Sequence, residues 1–235
     1  MEWEVIEDWF RRSRHHVELF HADPLGAAVM IDNLGIDPES TVAEVARNIG
    51  GGFVDHGWFR LLGSGHERMT LGLDVWNGVD SRLEPSRPGD LFVVGNDAVG
   101  GFFAIDAGGL GLRRGRVAYL APDAMRWEDL EMGYPEFVRW LAEGDLAGFA
   151  EGTRSQGWEY DIRALSGDDG IFFAPPLWAQ GPPVAGRDRT RVPMTELWTY
   201  AHVTMQQLER VPPGSPVRIS ALDRPAPAHG EQSPG

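Results

Sequence analysis

The chain contains no cysteine and no lysine. The first absence excludes disulfides, thiolate catalysis and cysteine-ligated zinc, and the second excludes Schiff-base chemistry and the lysine-bearing phosphate loop. There is also no run of eighteen apolar residues. The opening MEWEVIEDWF is acidic and amphipathic rather than a basic stretch ahead of a short apolar one, so neither a membrane span nor a signal peptide is expected. Positive charge is scarce: 21 basic residues, all arginine, stand against 35 acidic ones in 235 residues, a formal net charge of -14. Such an excess repels a phosphate backbone, whose binding draws on cationic contacts, so nucleic acid is not expected as a ligand. A cytoplasmic protein without a cofactor is the expectation these absences leave.

What is present suffices for one good core, with 42% hydrophobic and 10% aromatic residues. Trp3, Ile6 and Phe10, with Val5 and Trp9, make a wide apolar stripe at helical spacing and predict a helix over Met1 to Arg14. Asp23 before Pro24 and Ser40 before TVAEVARN are N-cap signals for two short helices, the second ended by Gly50, Gly51 and Gly52. GFVDHGWFRLLGSGH reads as a strand, a bend at Gly57 and a second strand stopped by a GSG turn, followed by a loop from Glu67 to Gly89.

Three Gly-punctuated apolar runs then follow one another. Leu91 to Val94, Phe102 to Ile105 and Val117 to Leu120 are contiguously apolar, as expected of central strands covered on both faces. Tyr134, Phe137, Val138 and Leu141 recur at helical spacing, with Pro135 opening that helix and Gly144 closing it. Short helices are expected over Leu146 to Phe149 and Trp158 to Leu165, then a Pro-rich passage from Pro175 to Pro193. Met194, Trp198, Ala201, Met205 and Leu208 mark the single buried face of a last helix. Residues 1–210 are read as one globular domain and 211–235 as a disordered Pro/Gly-rich tail.

The chemistry-bearing residues form no recognised catalytic pattern. Ser64 in GSGH is flanked at two residues by Leu62 and His66, where a nucleophile elbow needs glycine on both sides, so it reads as a turn residue. Asp55, His56 and His66 are the one set that a hydrolase could use as acid, base or ligand, although HExxH is absent. His15, His16 and His21 follow the first helix and read as surface residues. From Asp123 to Asp169, twelve acidic residues stand against four arginines, a local charge of -8 that would steer a cationic partner.

The run LFVVGND, GGFFAID, GRVAYLAP, WEDL and YPEFVRWL resembles the core of the SUKH superfamily, with Glu136, Phe137 and Val138 at its EFL-type position. The combination GFVDHGWFRLLGSGH, GGFFAID, YLAPDAMRWEDL, GDLAGF and PMTELW is similar to a bacterial family known as a domain of unknown function, from Trp3 to about Arg210. The SUKH resemblance implies an interaction module, many such proteins being immunity proteins that neutralise secreted toxins. The expectation is therefore an α+β protein, a twisted, mostly antiparallel meander with helices packed on it. Its expected role is non-enzymatic, as an immunity-type or adaptor protein that offers Glu128, Asp129, Glu131, Glu136 and Asp145 to a basic protein partner. The alternatives are a hydrolase using Asp55, His56 and His66, and a structural subunit of a homo-oligomer joined through an exposed edge strand.

Overall fold

A computed structural model describes residues 1–78 and 90–212. Of the expected tail over 211–235 the part from residue 213 on, and of the expected loop from Glu67 to Gly89 the part over residues 79–89, lie outside the described residues. Seven strands form one antiparallel sheet in sequence order: β1 (Val17–His21), β2 (Ile49–Val54), β3 (Phe59–Leu62), β4 (Leu91–Asp97), β5 (Phe102–Asp106), β6 (Arg116–Ala121) and β7 (Arg126–Gly133). Each strand pairs with its chain neighbour, so the meander expected from the Gly-punctuated runs is present and extends at both ends. A separate hairpin pairs β8 (Asp169–Ala174) with β9 (Asp188–Pro193).

The helices follow from the sequence signals. α1 (Trp3–Arg11) buries Ile6 and Phe10. In α2 (Pro24–Asn33) the Asp23 carboxylate accepts from the Gly26 amide at 3.0 Å, and in α3 (Thr41–Asn48) the Ser40 hydroxyl oxygen accepts from Ala43 at 3.1 Å. Each such cap contributes about 1 kcal/mol by satisfying an amide that has no partner within its helix. α4 (Leu73–Asn77), α5 (Tyr134–Glu143), α6 (Leu146–Phe149), α7 (Trp158–Arg163) and α8 (Met194–Leu208) complete the set.

The two faces of the sheet build two cores, which is why its middle strands carry contiguous apolar runs. On one face Phe59, Leu61, Val94, Phe103 and Val117 pack under α1 and α5 through Ile6, Phe10, Phe137, Val138 and Leu141. On the other, Phe53, Leu62, Val93, Phe102 and Leu120 lie against Met30 of α2, Trp76 of α4 and Trp198 of α8. The neighbours Phe102 and Phe103 thus serve opposite cores, as the two-residue period of a strand demands. Trp198 meets Phe102 edge-on at 4.9 Å between centroids and Trp76 at 5.6 Å, a fully buried aromatic cluster that anchors α8.

Four elements depart from the expectations. β1 occupies VELFH just after the histidines; as an edge strand of five residues with one fully buried side chain, it carries little apolar pattern. α4 interrupts the expected loop after Glu67, held by a hydrogen bond from the Leu73 amide to the Gly63 carbonyl. WEDL lies within β7, whose residues are at most half-buried. The Pro-rich passage ends in β9, because its charged DRTRVP pairs along its whole length with the apolar β8.

Candidate functional site

The β2–β3 turn carries three successive residues in the left-handed region: Asp55 at φ 53°, His56 at 61° and Gly57 at 90°. Only glycine adopts that region freely, so the first two cost on the order of 1 kcal/mol each unless their surroundings hold them. Arg154 supplies that hold. Its guanidinium is 2.7 Å from the Asp55 carboxylate and lies over the rings of Trp158 and Trp58, at 3.9 and 4.6 Å from their centroids. Burial lowers the pKa of Arg154, and the negative charge of Asp55 opposes that shift. Pinned in this way, the turn presents the His56 ring, which stacks on His16 at 4.5 Å with 8° between the planes and meets the edge of Trp158.

Beside the stacked histidines opens a cleft of about 330 Å³, lined by residues that include His16, Glu18, Phe53, His56, Arg60, Arg68 and, from the segment of α7, Ile162, Arg163 and Leu165. Arg60 is entirely buried. It donates to the carbonyls of Gly57, Gly167 and Asp169 at 3.3, 3.2 and 2.5 Å and so ties β3 to the chain entering β8. Burial pulls its pKa down to about 10, against the opposing charges of Asp97, Asp168 and Asp169. Arg68 pairs with Glu18 at 2.5 Å while its guanidinium lies over Phe20 and Phe53. Arg163 is exposed and, among the described residues, forms no ion pair. Three arginines thus face one carboxylate in a chain whose overall charge is -14.

Asp55, His56 and His66 are not brought together. His56 sits at the β2–β3 turn, whereas His66 lies past the far end of β3, with its Cβ against Gly50 and its ring stacked on Phe20. Four residue steps along β2, from Gly50 to Val54, put about 13 Å between those two ends. Asp55 faces Arg154 rather than either histidine, and Ser64 donates to the Ile49 carbonyl as a turn residue would. Among the described residues no three His, Asp or Glu side chains are placed to hold a metal ion.

Several of the five acidic residues serve local structure. Asp145 caps α6 by accepting from the Gly148 amide at 3.1 Å, Asp129 accepts from the Glu131 amide at 2.7 Å, and Glu128 pairs with Arg126 at 2.9 Å. Glu131 and Glu136 are exposed, the former at φ 57° where the pairing of β6 and β7 slips. Four of the five lie along β7 and the first turn of α5 and therefore share one edge of the sheet; Asp145 stands at the other end of α5.

The sequence reading missed Arg60, Arg68 and Arg163, because nothing in one-dimensional spacing tells an arginine that enters a cleft from one on a solvated face. Asp97, which with Asn96, Gly100 and Gly101 marks in the sequence the connection after the first apolar run, is fully buried at the end of β4. The Asp97 carboxylate accepts from the Tyr119 hydroxyl at 2.6 Å and from the amides of Val99 and Gly101 at 2.9 and 2.7 Å. Burial raises the pKa of Asp97 despite those donors, and it raises that of Tyr119 well above the usual phenol value, with Asp97 adding to the shift. The Asn-Asp-x-x-Gly-Gly spacing at the end of β4 is the signal for that turn, and its aspartate closes the turn on itself, but the burial of the carboxylate against Tyr119 is not written in the spacing.

Fold and site together define an α+β protein with a seven-stranded antiparallel meander, a basic cleft over β1–β3 and an acidic strand at the opposite edge. Residues 1–197 match the model of a family described as protein of unknown function DUF2625, and the chain belongs to that family. It is 34% identical over 197 residues to the uncharacterised protein YbfG of Escherichia coli, covering 83% of this chain and 88% of that one. It is 30% identical over 175 residues to an uncharacterised protein of Haemophilus influenzae, covering 74% and 77%. No solved structure matches the chain. The likeness of the core to SUKH proteins rests on its motif alone.

Proposed function

We propose that the protein is a non-enzymatic binding module, of immunity or adaptor type, that offers the acidic β7–α5 edge to a basic protein partner. The observation that supports this reading is the character of that edge. β7 ends the sheet with no fully buried residue, and Glu128, Asp129 and Glu131 flank backbone groups that no further strand among the described residues covers. Charge and the irregularity at Glu131 oppose pairing with another strand, so the edge favours a side-chain-mediated encounter over strand addition. The same argument weighs against self-association through β7. The separation of His56 from His66 weighs against the hydrolase reading.

The test is capture of partners from native lysate by the wild type and by a Glu128→Arg, Glu131→Arg, Glu136→Arg variant, at about 50 and about 300 mM salt, a range over which screening weakens exposed charge pairs. Asp129 and Asp145 are left in place because their carboxylates hold local turns. One basic protein that the wild type captures, that fades in high salt and that the variant fails to retain is the expected result. Equal capture by both proteins would refute the acidic edge as the binding surface.

A further inference from the structure

We propose that the cleft between β1–β3 and α7 is a binding site for the oxyanion group, carboxylate or phosphate, of a small molecule. The charge balance around it is the main argument. Glu18 is the one carboxylate among the lining residues, and carboxylates outside the lining have partners of their own: Asp55 has Arg154, Asp161 has Arg189 at 3.5 Å, and Asp169 has Arg191 at 2.5 Å. Asp168 accepts from the amides of Thr70 and Leu71 and from the Thr70 hydroxyl. The lining itself therefore carries Arg60, Arg68 and Arg163 against Glu18, with Asp97, Asp168 and Asp169 acting on Arg60 from outside it.

The three arginines play different parts. The N–H groups of Arg60 are turned to backbone carbonyls, so it contributes a fixed field from beneath the cleft. Arg68 gives one nitrogen to Glu18 and is braced over two phenylalanines, which leaves its other donors oriented by packing. Arg163 at the rim is free to close on a ligand. A planar fork of donors suits a two-oxygen anion, and such charge-assisted bonds are roughly twice as strong as neutral ones. The stacked rings of His16 and His56 add nitrogen donors on one side, while Phe53, Ile162 and Leu165 offer an apolar wall for the body of the ligand. At about 330 Å³ the space sits at the low end of small-ligand pockets. Four strand spacings separate β3 from β7, about 19 Å, so this site is distinct from the acidic edge.

The test is titration of the full chain with inorganic phosphate and, separately, with benzoate, read on the ring resonances of His16 and His56 by NMR, with sodium chloride as the ionic-strength control. A saturable shift of both rings is expected with one of the two anions and not with chloride, and which anion saturates distinguishes the phosphate from the carboxylate source. Arg163→Gln, an exposed and unpaired position that leaves the fold intact, should weaken that binding about tenfold, the value of one lost charge-assisted bond. Glu128→Gln should leave it unchanged. Absence of saturation with both anions up to about 10 mM, where binding would be weaker than any small-ligand site of use, would overturn the proposal, as would saturation that Arg163→Gln does not alter.

Discussion

The Asp55 carboxylate and the Arg154 guanidinium, 2.7 Å apart with side chains 15% and 9% exposed, lock a turn whose backbone two ordinary residues would otherwise avoid. Removing one member of such a pair leaves the other charge buried. Arg154→Met should therefore destabilise the fold by about 3–5 kcal/mol, and Asp55→Asn with Arg154→Met by less than Arg154→Met alone. Urea unfolding of the three proteins measures this. Equal losses in the single and the double variant would show that Arg154 acts through its stacking on the tryptophans instead.

Asp97 and Tyr119 lend themselves to a graded series. Tyr119→Phe removes one donor and should cost about 1–3 kcal/mol, while Asp97→Ala strands the Tyr119 hydroxyl and two buried amides and should cost more. Gly101→Ala belongs to the same series, because a methyl group there would collide with both the carboxylate and the hydroxyl. Denaturation midpoints should fall in all three, least for Tyr119→Phe.

His202 on α8 is buried, with its Nδ1 3.0 Å from the Trp198 carbonyl, and burial lowers its pKa below the usual value near 6.5. The unfolded chain therefore takes up a proton first. Stability is full above about pH 6.5 and declines as pH falls from there toward the lowered folded value. Asp97, with its raised pKa, works in the opposite sense: the folded chain takes up that proton first and gains stability as pH falls through the raised value toward its unfolded one. His202→Gln should flatten the decline below about pH 6.5 in pH-dependent urea midpoints, and an unaltered profile would locate the acid sensitivity elsewhere.

Trp198 fills the space between Trp76 and Phe102, so Trp198→Ala should cost about 3–5 kcal/mol. Loss of α8 protection in hydrogen exchange, beyond that of the sheet, is the accompanying sign.

Much of this architecture was legible because helix and strand periods are written in apolar spacing. The stripe of α8, the caps at Asp23 and Ser40 and the contiguous strands β4–β6 all depend on local rules. β1 and β9 were not legible, since each is recruited by its partner: VELFH by the glycines and Phe53 of β2, and DRTRVP by the apolar β8. The cleft was hidden for a related reason. His16, Arg60, Arg68 and Arg163 are far apart in sequence, and only the packing of α7 against the β2–β3 hairpin gathers them. His56 was visible because it sits beside a turn glycine, yet its true neighbour is His16 and not His66.

The strict sequence order of the seven strands also bears on how the chain reaches this state. Each strand can zip onto the one before it, so most of the sheet closes through short loops at modest entropic cost. The contacts that bind the chain start to its middle are of another kind: Ser13 donates to the Ala142 carbonyl across 129 positions, and Arg14 and His15 reach Gly144. Such long-range closure costs more chain entropy than the steps from strand to neighbouring strand. The amino-terminal helix and the residues after it therefore act as a clasp that joins the start of the chain to the end of α5.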